Sequence, residues 1–131
     1  MILFIHSSKL NIVQKVTTPD FSALLTADIG SSVEEYLISQ YTGVSNNALN
    51  ADILKVAHHG SKYSSTPLFL EPVSPTIAVI QVGEGNTYGH PTQETLDNLA
   101  SSSVQAVFRN DINGTITIKR GLHGLEAMTE R

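Results

Sequence analysis

The sequence predicts an α/β domain built on a mixed sheet with crossover helices. Three observations predict it. Apolar and β-branched runs alternate with helical stretches from residue 31 to residue 119. Thr17-Thr18-Pro19-Asp20 is turn chemistry between two strand-like runs near the N-terminus. Thr76 to Val82 is the most apolar run of the chain and is bounded by Pro75 and Gly83. Such alternation implies right-handed crossovers and a partly parallel sheet.

Each element has a local reason. Residues 2–5 are an apolar run and read as a short strand. Residues 10–16 and 21–27 read as strands of one hairpin. Residues 31–41 read as a helix that Ser31 or Ser32 can cap. Glu34 and Glu35 suit its positive first turn, and Val33, Leu37, Tyr41 and Tyr36 form its inner face. Residues 43–50 read as a polar loop and 52–57 as a strand running into His58-His59-Gly60-Ser61. Pro67 sits near the start of a short helix over 65–71, where proline is tolerated. Residues 76–82 are a strand. Thr92 caps a helix over 92–101 that turns Leu96 and Leu99 inward. Strands at 104–109 and 115–119 are expected to pair through the Asn113-Gly114 turn, with a mobile tail from Gly121.

Composition narrows the function classes. The chain has 131 residues, 40% apolar and 15% charged, which suits one globular domain and argues against disorder. With 12 Asp+Glu against 8 Lys+Arg its net charge is −4, which argues against a large basic nucleic-acid surface. Zero Cys excludes disulfides, thiolate metal sites and cysteine nucleophiles. No run approaches the roughly 18 apolar residues of a membrane span. The opening Met-Ile-Leu-Phe-Ile has no basic flank or cleavage site, so no signal peptide is expected.

Three polar groups follow predicted strands: Asp28 after Leu24-Leu25-Thr26-Ala27, His58 and His59 after Leu54-Lys55-Val56-Ala57, and His90 after Ile80-Gln81-Val82. Singly, each has an ordinary reading: a turn or cap aspartate, a surface histidine pair, a Gly-His-Pro turn. Together in an α/β frame they fall on one sheet edge, and imidazole with carboxylate is a ligand set for Zn²⁺ and similar metals.

At these residues the chain resembles the metallo-β-lactamase superfamily. Leu24-Leu25-Thr26-Ala27-Asp28 is similar to its LLTGD motif. Ala51 to His58-His59-Gly60-Ser61, and Asn86-Thr87-Tyr88-Gly89-His90-Pro91, are similar to its ComEC-like branch of competence and DNA internalisation. The resemblance covers about residues 10–118, so residues 1–131 read as a single partial domain with 121–131 as a tail. It implies that Asp28 bridges two metal ions and that His58 is a metal ligand, with His59 the alternative. It further implies that His59 or Ser61 orients a ligand or touches substrate and that His90 assists at a scissile phosphate. The implied cofactor is Zn²⁺ or Mn²⁺.

The superfamily's His-x-His-x-Asp-His cluster is absent, Ala27 replaces a glycine, and only Ser8 and Asn11 stand near an expected polar element. The resemblance therefore implies the C-terminal half of an αββα sandwich, with a two-metal site only if the missing ligands are supplied. A half-sandwich is expected to expose an apolar sheet face and to seek a complementary half-domain or homodimer. Three functions stay open: part of a ComEC-like metal-dependent nuclease or phosphodiesterase acting on DNA, a non-catalytic binding or assembly module, or a hydrolase of small substrates. Location follows suit, cytoplasmic if free-standing and membrane-associated if part of a ComEC-like protein.

Overall fold

The computed structural model describes residues 2–7, 11–43 and 46–131. Strands β1 (Ile2–Ser7), β2 (Ile12–Thr17) and β3 (Ser22–Leu25) form an antiparallel meander. Helix α1 (Ser31–Tyr41) and a small ribbon, β4 (Thr42–Gly43) with β5 (Asn46–Asn47), follow. Then come β6 (Ile53–Lys55), a tight turn over Ala57–Gly60, α2 (Pro67–Val73), β7 (Ile77–Ile80), α3 (Gln93–Ala100) and β8 (Ala106–Arg109). The chain closes with α4 (Asn110–Asn113), β9 (Ile116–Gly121) and β10 (Gly124–Thr129). Leu10 and Ser8, named in the sequence reading, and Val44-Ser45 of the polar loop lie outside the described residues.

The main sheet has six strands in the order β1-β2-β3-β6-β7-β8. β3, β6, β7 and β8 are parallel. The order runs one way across the sheet, so crossovers of one hand put α1, α2 and α3 on one face. Leu24, Leu54, Ala78 and Ile80 of the sheet and Leu37, Phe69, Leu70, Val73 and Leu99 of the helices share one buried cluster there. Register pairs Leu24 with Leu54 and Leu54 with Ala78, which aligns the inward side chains strand to strand. Chains of this mixed α/β kind gather loops at the carboxyl ends of the parallel strands.

Helix boundaries follow their caps. Thr66 and Thr92 accept from the backbone N–H of Phe69 and Thr95, and Pro67 occupies the first turn of α2. At α1 neither serine caps. The cap is Gly30, and Ser31 N donates instead to the Tyr63 carbonyl at 2.8 Å, which satisfies that N–H without a side chain. The inner stripe of α1 is Val33, Glu34, Leu37, Ile38 and Tyr41. Tyr36 lies about 130° round the helix from its middle and is exposed, contrary to the sequence reading.

The C-terminal hairpin also differs from expectation. Residues 116–121 pair with 124–129, not with 106–109, and the expected tail is strand β10. Asn113-Gly114 does not turn a hairpin. Asn113 Oδ1 accepts from Arg109 N at 2.8 Å and Asn110 Nδ2 donates to the Gly114 carbonyl at 2.8 Å, closing α4 as a one-turn helix. Gly114, at φ +67°, then carries the chain off the sheet.

Candidate functional site

The site is assembled from loops leaving β3, β6 and β7. Leu25, Lys55 and Val79 are in register, so the three exits share one edge. Val56 N donates to the Val79 carbonyl (2.8 Å), Thr26 Oγ1 to the Lys55 carbonyl (2.5 Å) and His58 N to the Ala27 carbonyl (3.0 Å). These bonds extend the ladder past the strand ends and bring Asp28 beside the histidines.

Backbone shape then aims the side chains. Ala27 has φ +49°, and His58, His59 and Gly60 have φ +49°, +55° and +83°. Consecutive left-handed residues are costly for L-amino acids, and such strain concentrates where a site demands it. Gly60 is needed twice, because a Cβ there would stand 2.5 Å from Pro91 Cβ. The Gly60 carbonyl accepts from Thr92 N at 2.9 Å, locking this turn to the loop that carries His90.

Asp28 is exposed, and Asn11 Oδ1 accepts from its N–H at 3.1 Å. His59 Nε2 stands 3.7 Å from Asp28 Oδ1. On the other side of the ring, His59 Nδ1 is 2.6 Å from the Gln81 carbonyl. A carbonyl only accepts, so Nδ1 carries the hydrogen and, in the neutral ring, the Nε2 lone pair faces Asp28. The His58 ring lies 6.4 Å from that of His59 and 6.0 Å from that of His90. His90 Nδ1 is buried with no partner among the described residues. Its main chain is braced by Asn86, whose Oδ1 accepts from His90 N and whose Nδ2 donates to the His90 carbonyl.

Asp28, His58, His59 and His90 thus lie along one sheet edge in pairwise proximity, with His59 as the histidine that faces Asp28. Among the described residues, no three His, Asp or Glu side chains converge as a complete metal-holding group. Ser61 is not on this surface. It is 3% exposed, its Oγ accepts from Tyr63 N, and its carbonyl accepts from Thr95 Oγ1.

Three participants were not found in the sequence. The Gln81 carbonyl fixes the His59 ring, and a backbone contact leaves no side-chain signal. Lys55 Nζ donates to the Ala27 carbonyl at 3.0 Å; burial lowers its pKa while nearby Asp28 raises it. A lysine inside an apolar strand was the available signal. Glu34 is buried and accepts from Ser65 N, Thr66 N and Thr66 Oγ1, tying α1 to the segment that follows the histidine turn. Burial raises its pKa, against the pull of those bonds.

Taken together, this is an α/β chain with a histidine and carboxylate cluster at the carboxyl edge of its parallel strands. It is similar to competence and recombination proteins. It is 36% identical over 106 residues to ComE operon protein 3 of Bacillus subtilis (strain 168), covering 81% of this chain and 13% of that protein. To Competence protein ComA of Neisseria gonorrhoeae it is 32% identical over 119 residues, covering 91% of this chain and 16% of that protein. To Recombination protein 2 of Haemophilus influenzae (strain ATCC 51907 / DSM 11121 / KW20 / Rd) it is 32% identical over 78 residues, 60% of this chain and 9% of that protein. The chain thus spans less than a fifth of these relatives. No protein-family model and no solved structure matches it.

Proposed function

We propose that this chain is part of a ComEC-like, metal-dependent phosphodiesterase of metallo-β-lactamase type that acts on DNA. The observation that carries the reading is His59: its Nδ1 is held by the Gln81 carbonyl and its Nε2 faces Asp28 Oδ1 at 3.7 Å. Metal-ligating histidines ordinarily donate their other ring N–H to a carbonyl or carboxylate, which fixes tautomer and aim. The donor set fits Zn²⁺ or Mn²⁺ in part. Asp28 and His59 would hold the ion, with His58 close by, and further ligands would come from residues beyond this set, in a complementary half or a second copy. Bound there, a metal ion would supply an activated water and charge neutralisation at a phosphodiester. His90 would assist by hydrogen bonding a phosphate oxygen through its ring. Lys55, which donates to the Ala27 carbonyl, orders the loop on which Asp28 sits.

Metal content tests this reading. The purified chain is expected to retain Zn²⁺ or Mn²⁺ by elemental analysis, and Asp28→Asn and His59→Gln are expected to lose it. Equal metal in all three proteins, or none in the parent, overturns it. A second reading, a non-catalytic assembly module, is favoured by the absence of a three-ligand group among the described residues. It expects no metal and no change in stability in Asp28→Ala or His58→Ala.

A further inference from the structure

We propose that the recess beside His90 is a nucleobase-stacking subsite with Tyr88 as its platform, so that the strand bound at this edge is single-stranded nucleic acid. The inference rests on the phosphodiesterase reading and names its substrate class.

Tyr88 is 83% exposed and offers an amphipathic ring to a ligand. Its ring lies nearly parallel to that of His90, with centroids 6.3 Å apart and planes 20° apart. The loop beneath is braced: Asn86 Nδ2 donates to the Gly83 carbonyl as well as to that of His90, and Arg131 pairs with Glu84. A rigid platform costs less ordering on binding than a mobile one.

The recess is about 180 Å³ and is lined by His59, Val82, Gly83, Asn86, Tyr88 and His90. Val82 gives an apolar wall, and Gly83 leaves open space where a side chain would stand. A space of this size takes one planar ring, not a base pair. A base inside a duplex is stacked on both faces and cannot enter without leaving the helix. With a net charge of −4 the chain offers phosphates little long-range attraction, so in the absence of metal the contact that would hold the strand is a ring face, which every base offers.

The test is fluorescence anisotropy with labelled oligo-dT and oligo-rU 12-mers and an abasic 12-mer with the same phosphates, all in EDTA. Without metal or cleavage, the outcome is independent of the metal-content experiment, so the two readings can fail separately. The thymine or uracil strand is expected to bind more tightly than the abasic one. Tyr88→Ala is expected to weaken it by about 5- to 140-fold, the range for stacking worth about 1–3 kcal/mol per base. Tyr88→Phe keeps the ring and should bind like the parent, and circular dichroism checks that both variants fold. Parent-like binding by Tyr88→Ala, equal binding of the abasic strand, or no binding of any strand overturns the proposal.

Discussion

Gly60 and Pro91 are packed so closely that no side chain fits between them: a Cβ on Gly60 would lie 2.5 Å from Pro91 Cβ and 3.0 Å from its Cα. With the bond from Thr92 N to the Gly60 carbonyl, this contact sets the separation of the two histidine-bearing loops. Gly60→Ala should cost about 2–4 kcal/mol, combining left-handed strain with overpacking. Urea denaturation measures it, and a loss below about 1 kcal/mol would contradict the interlock.

Ala27 gives the opposite sign. At φ +49° it holds a conformation that glycine adopts without a Cβ penalty, at the position where the resembled motif has glycine. Relief of about 1–2 kcal/mol of strain exceeds the backbone entropy glycine adds to the unfolded chain. Ala27→Gly is therefore expected to stabilise the fold by roughly 0.5–1 kcal/mol. A lower denaturation midpoint would show that Ala27 is not strained.

Glu34 makes stability depend on pH. Its pKa is raised chiefly by burial, so the folded state binds its proton more tightly than the unfolded chain does. Its contribution is full below the ordinary carboxylate value and is lost as pH rises through the raised one. Glu34→Gln stays neutral but turns an amide toward the Ser65 and Thr66 donors, at a cost of about 1–3 kcal/mol. Stability of the parent minus that of the variant should fall as pH rises through this window. A flat or rising difference between pH 4 and pH 8 (roughly the span to scan) would refute the assignment.

The histidine pair can be separated by metal titration. His59 alone has its second nitrogen on a carbonyl and its first toward Asp28, so His59→Ala should weaken Zn²⁺ binding by roughly tenfold or more and His58→Ala by less. The reverse order would return the ligand role to His58.

Much of this molecule was legible because its signals are local. Thr66 and Thr92 announce helix starts, and Thr18 turns the β2–β3 hairpin through its own hydrogen bonds. The shared edge of Asp28, His58, His59 and His90 followed from the alternation of strands and helices alone. What was not legible depends on contacts between distant residues. Tyr63 caps α1 by a carbonyl, so the serines there are idle. The Asn113-Gly114 pair serves α4, since two asparagine side chains close a helical turn before any hairpin can form. Which histidine turns toward Asp28 rests on a main-chain oxygen of Gln81, which no residue identity encodes.

The one-way strand order has a consequence in time. The β2–β3 hairpin joins neighbours in sequence and can close early. The parallel pairs cannot: Ser22 and Asp52, which bond where β3 meets β6, are 30 residues apart. Each crossover closes a long loop before its contacts repay the lost entropy, and such pairings are slow. The histidine edge needs three of these strands in place. A stretch of chain that lacks any one of β3, β6 and β7 therefore carries no assembled site.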